Sequence, residues 1–290
     1  RRVLFRSGAN PTRSSATTAM QGVYSVTVTA ANSCTASNTV SVVIQTKPII
    51  SPAGNDVCEG ATIELSATGG GTYSWAGPAS FGSTLAAPTR TNATTAMIGT
   101  YSVTVTGTNS CTQSGTATVS VRTKPIATAF GNSACVGGVV ELSATGGGTY
   151  SWAGPANFNS TLANPSRTSA TTAMTGTYSV TVTGTNSCTN SATTSLIVSN
   201  LPTANVAGDD VCEGATIQLS TSGGGAYSWT GPASFGSTLA APTRTNATTA
   251  MAGTYSVTVT GTNSCTQSGT ATVTVRTKPI VAVTGDDVCE

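Results

Sequence analysis

Residues 96–112 read AMIGTYSVTVTGTNSCT. From Tyr101 to Thr106 two kinds of residue alternate: Tyr101, Val103 and Val105 fall on one side, Ser102, Thr104 and Thr106 on the other. A period of two belongs to an extended chain with one face buried and the other in water. Gly107-Thr108-Asn109 follows, and its residues favour a turn. The stretch returns as AMTGTYSVTVTGTNSCT at 173–189, as AMAGTYSVTVTGTNSCT at 250–266 and, altered, as AMQGVYSVTVTAANSCT at 19–35. A strand that recurs at one fixed spacing marks a repeat architecture.

The spacing is 77 residues throughout. Trp75, Trp152 and Trp229 keep it, as do Cys34, Cys111, Cys188 and Cys265, and Cys58, Cys135, Cys212 and Cys289. Three full repeats are expected at 48–124, 125–201 and 202–278, with Pro at each joint. The second half of a truncated repeat occupies 8–47 and the start of another 279–290. The protein is expected to continue past both ends. Residues 77–97 (GPASFGSTLAAPTRTNATTAM) recur unchanged at 231–251, so neighbouring repeats present much the same surface. Within a repeat, Thr62–Thr68, Tyr73–Trp75 and Thr116–Arg122 also alternate. Gly69-Gly70-Gly71, Gly77-Pro78 and Ala87-Pro88 separate the runs. About seven short strands in such a unit predict an all-β, two-sheet sandwich.

Composition narrows the chemistry. Residues 1–7 (RRVLFRS) match nothing that follows; they read as the translated end of a sequencing adapter and are set aside. The chain has 12 basic and 10 acidic residues, a net charge of +2. Without Arg1, Arg2 and Arg6 the balance is −1, which gives no reason to expect a nucleic-acid partner. No apolar run reaches the ~18 residues of a membrane span. Histidine is absent, which removes the usual general base, the imidazole metal ligand and the Ser-His-Asp arrangement. No catalytic, cofactor-binding or metal-ligating residue is therefore expected, and no cofactor.

The carboxylates (Asp56, Glu59, Glu64, Glu141, Asp209, Asp210, Glu213, Asp286, Asp287 and Glu290) all lie before or inside the second strand of a repeat. They suggest calcium at the joints, but the second repeat carries Asn132, Ser133 and Val136 there, so a solvated loop is expected. Gly69–Gly71 lacks the Lys and helix of a phosphate loop. Tyr73 and Trp75 share the apolar face and are expected in the core rather than as a sugar-stacking pair. Arg13, Arg90, Arg167 and Arg244 recur at one position and read as a row of surface charges. The sequons at Asn92, Asn159 and Asn246 are the chance product of a Thr-rich sequence.

The motifs VCEGATI (57–63), YSWAGP (73–78) and AM-x-GTYSVTVTGTNSCT resemble the PKD-like and immunoglobulin-like repeats of Bacteroidota secreted and cell-surface proteins. The resemblance runs through all three full repeats and both partial ones. It implies tandem immunoglobulin-like/PKD-like sandwiches, a tyrosine corner at Tyr24, Tyr101, Tyr178 and Tyr255, a core role for Trp75, and export to the cell surface as adhesin, spacer or fibre. The core disulfide of antibody domains does not carry over, because these cysteines do not sit mid-strand.

Two cysteines per repeat and no C-x-x-C pair point to disulfides in an oxidising compartment. With immunoglobulin topology, Cys58 and Cys111 fall at opposite ends of their repeat, well beyond the ~7 Å between Cα atoms that a disulfide tolerates. Staples between successive repeats, Cys58 to Cys188 and Cys135 to Cys265, are therefore expected ahead of pairing inside each repeat (58–111, 135–188, 212–265). Cys34, Cys111, Cys212 and Cys289 would then need partners elsewhere. The expected function is a non-enzymatic structural or adhesive array, an extracellular stalk or fibre on a bacterial surface. Its partners would be further repeats of the chain, other copies of itself and surface glycans. The alternative is an accessory spacer or carbohydrate-binding array of a secreted polysaccharide-degrading enzyme.

Overall fold

The computed structural model of the chain describes residues 9–285. The heptapeptide 1–7, Asp286, Asp287, Cys289 and Glu290 lie outside the described residues. The chain divides into two compact units, 1–124 and 125–290. Among the described residues, the only helical elements are three-residue 3₁₀ turns such as Thr95–Met97, and no helix is long and apolar enough to cross a membrane.

In the first unit, residues 48–124 form two facing sheets. One has four antiparallel strands in the order Thr112–Val119, Gly99–Thr106, Thr72–Gly77, Phe81–Ser83; the other has three, Ala53–Gly54, Ile63–Ser66, Thr89–Arg90. A further two-residue strand, Val57–Cys58, runs parallel to Val121–Arg122. This is the topology of an immunoglobulin-type sandwich. In the second unit it occurs twice. Residues 125–201 pair Ala134–Cys135 with Val198–Ser199, and residues 202–278 pair Val211–Cys212 with Val275–Arg276.

The alternation decides what is buried. Tyr101, Val103 and Val105 are buried together with Ile63, Leu65, Trp75, Val119 and Val121, and the equivalent residues close the other two cores. Trp75 is 3% exposed and its indole N–H donates to the Leu85 carbonyl at 3.0 Å, so the buried polar atom is satisfied. Trp152 and Trp229 donate likewise to Leu162 and Leu239. Tyr73 is partly buried against the same core.

One reading of the last strand differs from the structure. Thr116–Arg122 is expected to be one strand. It is divided at Ser120, after which Val121–Arg122 leaves the four-stranded sheet and pairs with Val57–Cys58. Cys58 thus stands in a two-residue strand just ahead of Ile63–Ser66. The described residues before 48 include an antiparallel hairpin, Gly22–Thr29 with Thr35–Val42, and Val26 and Val28 on its apolar face are exposed.

The conserved spacing of Tyr-Ser-Trp-x-Gly-Pro has a steric basis. A methyl group placed on Gly77 would lie 2.4 Å from the Tyr101 ring; on Gly82 it would meet nothing closer than 3.8 Å. We expect Gly77→Ala to destabilise its repeat by about 1–3 kcal/mol, as overpacking does, and Gly82→Ala to leave it nearly unchanged. Denaturant unfolding of the two variants side by side checks this; equal midpoints would show that the ring has room to move.

Candidate functional site at the joint between repeats

The joint is best seen at 198–203 and 261–265, both in the second unit. The strand Val198–Ser199 ends one repeat, and Asn200-Leu201-Pro202 leads to the next. Beside Ser199, in register across the parallel pair, lies Cys135. From the following repeat, the turn after Gly253–Thr260 reaches back. Gly261 N–H donates to the Cys265 carbonyl at 2.8 Å and Ser264 N–H to the Gly261 carbonyl at 3.0 Å. Ser264 takes the left-handed conformation, φ 63°.

Asn263 ties the turn down at both ends. Its Oδ1 accepts from the Cys265 N–H at 3.1 Å, and its Nδ2 donates to the Asn200 carbonyl of the preceding repeat at 2.9 Å. Cys265, 1% exposed, is thereby held over Ser199, with its sulfur 3.9 Å from that carbonyl. Cys135 and Cys265 are joined by a disulfide, with Cα atoms 5.7 Å apart and a sequence separation of 130. The bond links two successive 77-residue repeats.

The first unit has the same turn. Asn109 Oδ1 accepts from Cys111 N–H at 3.1 Å, and its Nδ2 donates to the Thr46 carbonyl of the truncated repeat at 2.9 Å. Sequence reading had taken Gly107-Thr108-Asn109 only as a turn. The signal available was the invariant Asn two residues before Cys at each 77-residue step.

Cys58 occupies the strand position beside Arg122, and Cys188 is wholly buried in the turn after Gly176–Thr183; both are disulfide-bonded. Cys34 and Cys212 are exposed thiols and Cys111 a half-buried one.

The residue before each strand bearing this cysteine holds that strand in place. Asp56 accepts from the backbone N–H of Ser120 at 3.1 Å and from the Ser120 hydroxyl. Asp210 accepts from Thr274 N–H at 2.9 Å. In the middle repeat Ser133 Oγ accepts from Ile197 N–H at 3.0 Å. An acceptor is needed there because Ser120, Ile197 and Thr274 are where the last strand changes sheets, which frees a donor from the ladder. The acidic position is thus a backbone clasp, and a serine serves it equally. The Ser120 hydroxyl, then its N–H, hold the Asp56 carboxyl below the usual aspartate range. The Thr274 N–H, then its hydroxyl, do the same for Asp210. Arg276 lies 3.7 Å from Asp210, but both side chains are largely exposed and such a pair adds little.

The recurring arginine is exposed at Arg13 but half-buried at Arg90, Arg167 and Arg244. Arg90 Nη1 donates to the Pro78 carbonyl at 2.9 Å and to the Tyr101 hydroxyl at 2.8 Å. Its guanidinium lies 4.9 Å from the Phe81 ring centre. Tyr101 in turn donates to the Met97 carbonyl, four residues upstream, at 2.9 Å, which is a tyrosine corner. Arg167 with Tyr178 and Arg244 with Tyr255 repeat the arrangement. Planarity and several donors suit arginine to this inward position.

No protein-family signature matches the chain, and no curated protein matches it. Among solved structures, the chain is similar to the three N-terminal domains of the bacteriophage RB49 highly immunogenic outer capsid protein, at 18% identity over 80% of this chain and 99% of that one, TM-score 0.37. It is also similar to the eight N-terminal immunoglobulin domains of Down syndrome cell adhesion molecule, at 12% identity over 89% of this chain and 40% of that one, TM-score 0.45. A structure from a 1.5-MDa bacterial ice-binding adhesin gives 14% identity over 81% of this chain and 100% of that one, TM-score 0.31. Likenesses this distant bear on neither partner nor activity.

Two outcomes follow from the joint. Maleimide added to the unreduced, monomeric 290-residue chain should label Cys34 and Cys212 fast and Cys111 more slowly, and should spare Cys135 and Cys265 until reductant is added; mass mapping of labelled peptides reads this directly. The clasps should also be acid-sensitive. Folding lowers both carboxyl groups, so their contribution is present above the ordinary aspartate pKa and is lost as pH falls through the lowered values. Asp56→Ser, which copies the middle repeat, should reduce the acid-side loss of stability in denaturant titrations at neutral and low pH. An unaltered pH dependence would mean that the clasp does not couple to folding.

Proposed function

We propose that the chain is part of a non-enzymatic structural or adhesive array, forming an extracellular stalk or fibre on a bacterial surface. Each period, 48–124, 125–201 and 202–278, acts as one module, and successive modules are stapled by disulfides. The observation that carries this reading is the Cys135–Cys265 bond, which ties the start of one repeat to the far turn of the next. We extend the pairing to Cys58 and Cys188, which have the same separation. Cys34, Cys111, Cys212 and Cys289 would take partners in further repeats or in other copies.

Disulfides and the absence of histidine support a secreted, non-catalytic protein. Likeness of the VCEGATI and GTYSVTVTGTNSCT motifs to Bacteroidota surface repeats supports a bacterial surface. A staple across a joint carries tension past the peptide linker, and two overlapping staples leave only part of the chain between Cys58 and Cys265 to bear load. That is the property a stalk requires.

Single-molecule stretching of the chain tests this. The Cys135–Cys265 bond spans 130 residues, which at ~3.5 Å per extended residue withholds about 450 Å of contour. Reductant should release at least that length, and non-reducing peptide mapping should recover 135–265 and 58–188 linkages. Equal contour lengths with and without reductant, or recovery of 58–111, would overturn the stapled array.

A further inference from the structure

We propose that the repeat 125–201 carries a glycan-binding groove on the outer face of its three-stranded sheet, a site its sister repeats lack. The inference goes beyond the stapled-array reading and does not depend on how the cysteines pair.

The register defines the face. Thr128 and Thr145 stand opposite each other with hydroxyls in contact at 2.5 Å. Two residues along, Phe130 stands opposite Ser143. The positions on either side of Phe130 face inward: Ala129 packs against the core, and a side chain on Gly131 would run into Leu142 and Leu196. Phe130 therefore points outward, and it is 62% exposed. One row further, Glu141 lies between Asn132, whose Oδ1 accepts from its N–H at 2.6 Å, and Ser166 across the strand pair. Asn164 closes the far side. Phe130, Asn132, Glu141, Ser143, Asn164 and Ser166 line an open, shallow groove of about 540 Å³.

An exposed aromatic ring beside a carboxylate, an amide and two hydroxyls is the donor and acceptor set that a pyranose uses. Its apolar face lies on the ring while its hydroxyls bond to planar polar groups. The sister repeats lack the platform. Ala53 and Ala207 replace Phe130, Ala87 and Ala241 replace Asn164, and Gln218 replaces Glu141 in the third. The groove of 48–124 is about 370 Å³. An exposed phenylalanine contributes nothing to the core, and the two alanines show that the fold does not need it. Glu141 selects for neutral sugars over uronic acids.

The test uses the full chain and neutral hexasaccharides of glucose, mannose, galactose and xylose, with oligogalacturonate as the acidic control, by calorimetry and chemical-shift mapping. At least one neutral oligomer should bind and shift the amides of Phe130, Glu141 and Asn164, and oligogalacturonate should not. Phe130→Ala, which copies the sister repeats and so keeps the fold, should weaken binding about tenfold or more, the scale of one lost aromatic contact. Ala207→Phe with Asp209→Asn, Gln218→Glu and Ala241→Asn should create a second site. No binding by any oligomer, binding indifferent to Phe130→Ala, or a Phe130-dependent self-association in place of binding would overturn the proposal.

Discussion

Two residues of parallel pairing organise this molecule. Ala134–Cys135 lies alongside Val198–Ser199, so a cysteine near the start of a repeat sits beside the residue at which that repeat ends. An all-antiparallel sandwich would not do this, because its first and last strands would have no reason to meet in that direction. The pairing exists because the last strand breaks out of one sheet at Ile197 and joins the other edge. The break leaves a backbone donor unpaired, and Ser133 accepts from it. Asp56 and Asp210 do the same elsewhere. A short polar side chain thus decides where a strand changes partners, and the change of partners decides where a sulfur atom stands.

The second half of the joint is built by a different residue. Asn263 satisfies the turn around Cys265 with its oxygen and the preceding linker with its nitrogen. One amide therefore fixes both the conformation of the turn and its position over the neighbouring repeat. Aspartate could do only the first, since its carboxylate has no donor. With the turn held, the buried sulfur needs little freedom to meet Cys135, and the disulfide locks an approach that hydrogen bonds have already made.

Much of the fold was legible because alternation is enforced by burial. Tyr101, Val103 and Val105 can face only inward once Ser102, Thr104 and Thr106 face water. Trp75 could be assigned to the core by the same phase. What could not be read was anything decided by one residue's hydrogen bonds. Nothing in Val-Ser-Val-Arg (119–122) announces that the strand divides at Ser120, because both residues flanking it are equally good strand formers. The arginine row was misread for a related reason. Charge suggests solvent, and only the placement of Phe81, Tyr101 and the Pro78 carbonyl around Arg90 reveals that a guanidinium is wanted there. Phe130 was not singled out at all, although it stands where the sister repeats have alanine.

Differences between the repeats fall where the fold places no demand. Positions that bury a side chain or satisfy a backbone group are nearly invariant: the Trp, the Tyr–Arg pair, the Gly beneath the tyrosine ring, the Asn of the turn. The clasp position tolerates Asp or Ser, because either supplies the one acceptor required. On the outer face of the small sheet, Ala53, Phe130 and Ala207 occupy one site with no consequence for the core below, since Gly54, Gly131 and Gly208 at the next position keep the inward space for Leu65, Leu142 and Leu219. A module of this kind separates its two tasks physically. Inward residues and joint residues set the form of the array, and a single outward strand is free to acquire chemistry in one repeat while its neighbours stay plain.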